Sequence, residues 1–96
     1  PCLSQSSFEI GPDVADAVMN ATPWAEHLFA PGAGDRQFFD LKRYCLGRLA
    51  RLGVAHMDAL QDDTLTQPDQ YFSHRRAVKA GDRDCGRNMT AIVLVA

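Results

Sequence analysis

The sequence predicts an α+β fold, with a mixed β-sheet and two main helices that form part of a larger layered α/β sandwich. Apolar residues recur at helical spacing from Pro12 to Ala21 and again within residues 37–52, which indicates two amphipathic helices. Residues 91–96 are apolar and β-favouring, and a strand apolar on both faces belongs inside a sheet covered on both sides. Two helices are too few for this cover, so we expect more protein than the chain contains.

The first elements predicted along the chain are a short strand and a helix. Residues 6–10 alternate polar and apolar side chains and stop at Gly11-Pro12, which is typical of a strand followed by a turn. Pro12 suits the first turn of a helix, where its missing N–H costs nothing. Thr22-Pro23 is expected to end that helix, because the residue before a proline disfavours helical backbone.

The strongest helix prediction covers residues 37–52. It follows a segment, residues 24–34, that is predicted to form a helical turn or short strand and then a flexible connection. Gly53 suits the left-handed position that ends a helix. One continuous stripe is predicted to face a core, namely Phe38, Leu41, Cys45, Leu49 and Leu52. Four cations are predicted to be solvated on the other face, namely Lys42, Arg43, Arg48 and Arg51.

The C-terminal half is predicted to alternate short strands and loops. Residues 54–57 are expected to form a strand, residues 59–70 a polar loop and residues 75–88 a second, charged loop. The last strand is predicted within residues 89–96, apolar from Ala91 onward.

Size and composition limit the classes of protein that the chain can represent. At 96 residues it forms one domain at most, and 46% hydrophobic with 23% charged residues is ordinary for a globular protein. A net charge of −2 gives no general attraction to nucleic acid, so no nucleic-acid partner is expected. No apolar run reaches the roughly 18–20 residues of a membrane span, and no membrane partner is expected. Because the chain starts on Pro1, without Met, we expect it to be cut from a longer protein.

The three cysteines are widely spaced and form no zinc-type pattern with the histidines. Reduced thiols and a cytoplasmic location fit this usage best. Cys45 is expected in the core, on the predicted helix stripe. Cys85 lies near Arg83 and Arg87, cations that stabilise a thiolate, although a free surface thiol without a function is the simpler interpretation.

Residues 63–76 are the most distinctive stretch, because a polar turn leads into an aromatic pair, a Ser-His pair and two adjacent arginines. Arg75 and Arg76 either bind an anionic or planar partner or form ion pairs with nearby aspartates (Asp62, Asp63 or Asp69) that join two loops. Strand-like backbone is expected to point them to opposite sides.

The neighbouring side chains leave similar alternatives. His74 is either a neutral general base, since the adjacent guanidiniums disfavour the imidazolium, or a packing residue. Ser73 is expected to be a turn or capping hydroxyl. Tyr71 and Phe72 either stack on a purine base or, as we favour, anchor the loop into the core.

Three blocks make the chain resemble the YfiH-type multicopper polyphenol oxidase (laccase-domain) family, whose members are also described as purine nucleoside phosphorylases and peptidoglycan-editing factors. The first block is residues 1–4 with 8–11, the second is residues 48–54, and the third is residues 63–76 with Gly86-Arg87 and the apolar terminus. The resemblance covers essentially the whole chain. It implies that residues 1–96 are the C-terminal part of a single laccase domain whose N-terminal part is absent.

The family binds zinc or copper through two histidines and a cysteine in motifs that this chain lacks. The resemblance therefore implies a metal bound by residues outside this chain, and no metal ligand or catalytic residue within it. Asp63, His74 and Ala77 stand where many relatives have Cys, Tyr and Asp, and the connection from Arg76 to Gly86 is longer. The matching positions, which the resemblance implies to be substrate-binding, are Ser73, Arg75, Arg76 and Arg87.

The function that the resemblance implies is that of a metal-dependent enzyme similar to purine nucleoside phosphorylases. Such an enzyme would act on adenosine- or inosine-like nucleosides and phosphate, or on another small-molecule substrate, with deaminase and polyphenol oxidase activities also claimed in the family. The alternatives are a peptidoglycan-editing hydrolase acting on a cell-wall precursor and a non-catalytic interaction domain. The 96-residue chain alone is expected to be inactive, with the missing N-terminal part of the domain as its partner.

Overall fold

The computed structural model describes residues 1–94 and has an α+β fold, as the sequence predicts. Its strands are β1 (Glu9–Ile10), β2 (Phe29–Pro31) and β3 (Gln37–Phe39). Its α-helices are α1 (Pro12–Ala21), α2 (Leu41–Arg51) and α3 (His74–Ala80). Two 3-10 helices, Gln5–Ser7 and Pro23–Leu28, complete the regular structure of the described residues.

The three strands form a small sheet in the order β1-β3-β2, with antiparallel pairing on both sides of β3. The described strands therefore differ from the mixed sheet of the sequence prediction. One face of the sheet carries the core, in which Phe39 packs against Phe29 with ring centroids 5.0 Å apart. The buried apolar residues of this core are Ile10, Ala15, Ala25, Leu28 and Phe39.

Helix α1 confirms the prediction from the proline and the apolar spacing. Pro12 occupies the first turn, Asp13 lies near the positive end of the helix dipole, and Ala15 is buried against the core. The helix stops at Thr22, whose hydroxyl donates to the carbonyl of Val18 at 2.6 Å.

The second helix is shorter than predicted, because residues 37–39 form β3 instead of a first helical turn. The change of structure occurs at Asp40, which caps α2 by accepting a hydrogen bond from the Arg43 N–H at 3.1 Å. Phe39 is buried through pairing with β1 and β2, and this pairing outweighs the helical spacing of the apolar residues.

The face of α2 that contacts the core is also not the predicted one. Tyr44 stacks on Trp24 at 5.5 Å, and Gly47 allows the Trp24 ring to lie against the helix backbone. Cys45, Leu49 and Leu52 are exposed, so the prediction of a core-facing stripe is wrong for its C-terminal half. The prediction of a core position for Cys45 is wrong for the same reason.

Three predictions for the C-terminal half are corrected. Residues 54–57 carry no strand, and residues 89–94 are exposed and irregular where a buried strand was predicted. Residues 95 and 96 of that predicted strand lie outside the described residues. Residues 74–80 form α3 where a loop was predicted. The polar loop over residues 59–70 is confirmed. A strand needs a hydrogen-bonding partner, and the apolar composition of residues 91–94 does not supply one.

None of the helices found in residues 1–94 has the length and apolar character needed to cross a membrane.

Candidate functional site

Ser73 caps helix α3, which confirms the expectation of a capping hydroxyl. Its Oγ accepts a hydrogen bond from the N–H of Arg76 at 3.2 Å, and the side chain is buried. Gly81 ends the helix with φ of 80°, a left-handed conformation that glycine adopts readily. A cap and a stop with seven residues between them explain why this charged segment is helical.

The guanidinium of Arg76 binds a row of backbone carbonyls. It donates to Thr64 at 2.8 Å and to Tyr71 at 2.6 Å, with a longer bond to Leu65 at 3.3 Å. A cation that satisfies three carbonyls at once holds the 64–71 loop against the start of α3. Arg76 therefore joins two segments, as one of the sequence hypotheses required, but through carbonyls and not through the predicted aspartates.

Arg75 extends away from Arg76 and contacts the sheet. It donates to the carbonyl of Glu9 at 3.0 Å, and its guanidinium lies 5.3 Å from the centre of the Phe8 ring. The two arginines diverge because adjacent helical residues lie about 100° apart, and not because of the predicted strand geometry. Among residues 1–94, the ion pairs are Arg36–Glu9 and Arg87–Asp84, so neither Arg75 nor Arg76 has a carboxylate partner there.

Asp63 is a buried carboxylate that holds the N-terminal segment onto the same loop. It accepts hydrogen bonds from the hydroxyls of Ser4, at 2.5 Å, and of Ser7, and from the N–H of Leu65 at 2.9 Å. Burial by itself raises the pKa of this carboxyl, but the Ser4, Ser7 and Leu65 hydrogen bonds outweigh it and hold the pKa below its usual range. The Asp63 side chain is therefore ionised and structural.

A partly apolar groove of about 520 Å³ lies between α2 and this loop. Lys42 closes one end of it by donating to the carbonyls of Leu60, at 2.9 Å, and of Asp62. Tyr71 donates its hydroxyl to the Asp62 carboxylate at 2.5 Å, and this bond raises the pKa of the phenol. Tyr71 thus braces the loop through Asp62 but does not pack against the buried core, and Phe72 is 54% exposed. The prediction that this aromatic pair anchors the loop into the core is therefore wrong.

Arg87 lies in the loop after α3, whose neighbouring residues Gly86 and Asn88 contact Phe72. Its guanidinium pairs with the Asp84 carboxylate at 3.4 Å and donates to the sulfur of Cys85 at 3.1 Å. The loop that carries it is fixed by Asn88, whose side-chain amide bonds both the N–H and the carbonyl of Phe72, at 3.0 and 2.7 Å.

The structure thus brings Ser73 and Arg76 together and directs Arg75 and Arg87 to different surfaces. Sequence analysis missed Asn88 and the carbonyl acceptors. Neither carried a usable signal, because the partner of Asn88 lies 16 residues away in the sequence and every residue has a carbonyl. Residues 1–94 hold no group of three or more His, Cys, Asp or Glu side chains placed to bind a metal.

Comparison with known proteins supplies the context for this geometry. The model of the family described as multi-copper polyphenol oxidoreductase laccase matches residues 1–95. The purine nucleoside phosphorylases YfiH of Shigella flexneri and of Escherichia coli (strain K12) are each 30% identical to the chain over 95 residues. These alignments cover 99% of the chain and 37% of each relative, so the chain spans little more than a third of the length of these proteins.

Proposed function

Since the chain belongs to the multi-copper polyphenol oxidoreductase laccase family, we propose that it is the C-terminal part of a single laccase domain in a metal-dependent enzyme similar to purine nucleoside phosphorylases. The reaction would be phosphorolysis of adenosine- or inosine-like nucleosides, in a cytoplasmic enzyme. The observation that carries this proposal is the match over nearly the whole chain to two proteins with that name.

The two arginines of α3 would have different roles in this enzyme, one in positioning and one in binding. Arg76 already donates to three carbonyls and would position the wall of the site. Arg75 donates to one carbonyl, Glu9, and a guanidinium has five N–H donors, so it retains donors for phosphate or for a ribose edge. Arg87 is exposed and would add positive charge at the rim, with Ser73 fixing the start of the helix.

Zinc or copper would be held by residues outside this chain, because the described residues provide no suitable cluster of ligands. We therefore assign this chain's residues to binding and positioning only. The nucleoside, phosphate and the missing N-terminal part of the domain are the proposed partners.

The proposal is tested in the intact protein with Arg75→Ala and Arg75→Lys. Losing a charged hydrogen bond to phosphate costs about 1.5–3 kcal/mol, so kcat/KM of Arg75→Ala should fall roughly tenfold to a hundredfold. Arg75→Lys keeps the charge and should recover part of this loss. Arg43→Ala, an exposed change on α2, is the matched control and should leave the kinetics unchanged.

Arg76→Ala separates a positioning role from substrate contact. It should lower the stability of the protein as well as its activity, because three partly buried carbonyls lose their donor. Unchanged phosphorolysis in both alanine variants would refute the proposed roles. Hydrolysis of a cell-wall precursor, without phosphate-dependent release of a base, would instead favour the peptidoglycan-editing alternative.

A further inference from the structure

Cys85 lies within a small cluster of polar side chains beside helix α3. Its sulfur is 3.9 Å from Nδ1 of His74, and Nη1 of Arg87 donates to it at 3.1 Å. A proton acceptor and a cation next to a thiol are the two features that activate cysteine as a nucleophile. The function proposed above uses neither the thiol nor the imidazole.

The loop around Cys85 is held in place by contacts that involve its neighbours. Asn88 bonds both backbone groups of Phe72. A Cβ added at Gly86 would lie 2.3 Å from the Phe72 ring, so only glycine permits this close approach. The thiol is therefore held near His74 by the packing of two segments and not by chance proximity along the chain.

A cleft beside Cys85 leaves space for a small reagent, and side chains of both charges line it. A cleft of about 250 Å³ borders Cys85, and Arg76, Asp82 and Asp84 also line it. The N–H of Cys85 and then the Arg87 guanidinium hold the pKa of Asp84 below its usual range, so this carboxylate stays charged and competes for Arg87. His74 is the group placed to take the thiol proton, because its Nδ1 lies 3.9 Å from the sulfur, whereas the guanidiniums of Arg76 and Arg87 have no acceptor atom.

We propose that Cys85 is a redox modification site that reacts with hydroperoxides, with His74 as the proton carrier and Arg87 as the stabilising cation. The thiol proton passes to His74, and the sulfur attacks one peroxide oxygen. The O–O bond breaks as the S–O bond forms, and the departing oxygen takes the proton from His74. Sulfur is oxidised to sulfenic acid by two electrons, and hydrogen peroxide is reduced to water.

The other cysteines of the chain serve as internal controls. Among the described residues Cys45, on α2, is more exposed than Cys85. Cys2 is half-buried, and burial raises the pKa of its thiol in spite of the opposing charge of Lys42. Access alone therefore predicts that Cys45 reacts first, whereas the proposal predicts that Cys85 does.

The test treats the intact protein with hydrogen peroxide, traps sulfenic acid with dimedone and measures the labelling rate of each cysteine by peptide mass spectrometry. Cys85 should be labelled at least about tenfold faster than Cys45, since a positioned acid or base typically contributes about 10²–10⁴-fold. In denaturing urea the difference should disappear. Equal rates, or faster labelling of Cys45, in the folded protein would overturn the proposal.

Two variants separate the chemistry from mere exposure. His74→Gln should slow the labelling of Cys85 to near that of Cys45 and leave Cys45 unchanged. Asn88→Ala releases the Cys85 loop from Phe72 and should also slow the labelling of Cys85. A His74→Gln protein whose Cys85 reacts as fast as before would refute the role of the imidazole. These readouts do not depend on phosphorolysis, so they are independent of the proposed function.

Discussion

At the scale of single residues, buried polar groups hold the candidate site together. Asp63 ties the N-terminal segment to the loop before α3 through Ser4 and Ser7, and Arg76 ties that loop to the helix through carbonyls. Each of these side chains bonds several partners at once, so removing one leaves several partly buried groups without that bond. The polar residues here act first as structural connectors.

Asp63→Asn tests this role through its pH dependence. Because the folded-state pKa of Asp63 is lowered, its stabilisation is complete above the unfolded pKa of about 3.9 and is lost as the pH falls through the folded pKa. At pH 7 the variant should lose about 2 kcal/mol of unfolding free energy, and the loss should shrink in acid. Urea denaturation of the variant and the parent protein, at pH 7 and in acid, measures this loss of unfolding free energy.

The exposed Asp69 of the same loop is the matched control. Asp69→Asn should change the free energy of unfolding little at either pH. An Asp63→Asn loss that is the same in acid as at neutral pH would show that the carboxylate charge is not what stabilises the loop.

At the scale of elements, the contact between α2 and the preceding 3-10 helix depends on a missing side chain. A Cβ at Gly47 would lie 2.7 Å from Cζ3 of Trp24, whose ring stacks on Tyr44 and lies 3.8 Å from the Arg51 guanidinium. Glycine is a poor helix former, so its presence in mid-helix reflects this packing.

Gly47→Ala should therefore destabilise the protein although alanine favours helix. The change gains about 1 kcal/mol of helix propensity but displaces the Trp24 ring, and we expect a net loss of about 1 kcal/mol. Trp24 is the single tryptophan of this chain, and the difference in fluorescence between variant and parent protein should show a shift to the red. Ala50→Gly, an exposed change in the same helix, should cost about 1 kcal/mol without that shift. A stabilised Gly47→Ala protein with unchanged emission would contradict the packing argument.

At the scale of the whole molecule, the chain exposes more surface than an independent domain of its mass. Its accessible surface is 7285 Å² and its radius of gyration 14.9 Å. Independent domains of this size have about 5500 Å² and about 12.5 Å. Large apolar residues are among those exposed, namely Leu49, Leu52, Met89, Ile92, Val93 and Leu94. This excess supports the proposal that further protein of the same domain covers the chain.

Ile92→Lys in the intact protein tests whether the rest of the domain buries the apolar C-terminal residues. If the remainder of the domain buries this terminus, the charge should cost at least about 2 kcal/mol of unfolding free energy. Thr66→Lys, in the exposed polar loop, should stay within about 0.5 kcal/mol of the parent. An Ile92→Lys protein as stable as Thr66→Lys would show that Ile92 remains in solvent.

Local signals account for what the sequence could predict. Pro12 with the apolar spacing behind it predicted α1, and Ser73 was expected as a cap, because both depend on residues within one helical turn. The α+β class and the family follow from the order of such segments. The helix of residues 74–80 was missed because the charged run hid the signal of its cap and stop.

The fold class, the family and the first helix could be predicted from the sequence, since these signals arise from neighbours along the chain. The strand pairing of residues 37–39, the carbonyl partners of Arg75 and Arg76, and the contact of Cys85 with His74 arise only when distant segments pack together. These outcomes depend on partners up to 66 residues away in the sequence. Backbone carbonyls have no residue identity, so no sequence pattern marks which of them an arginine will bind.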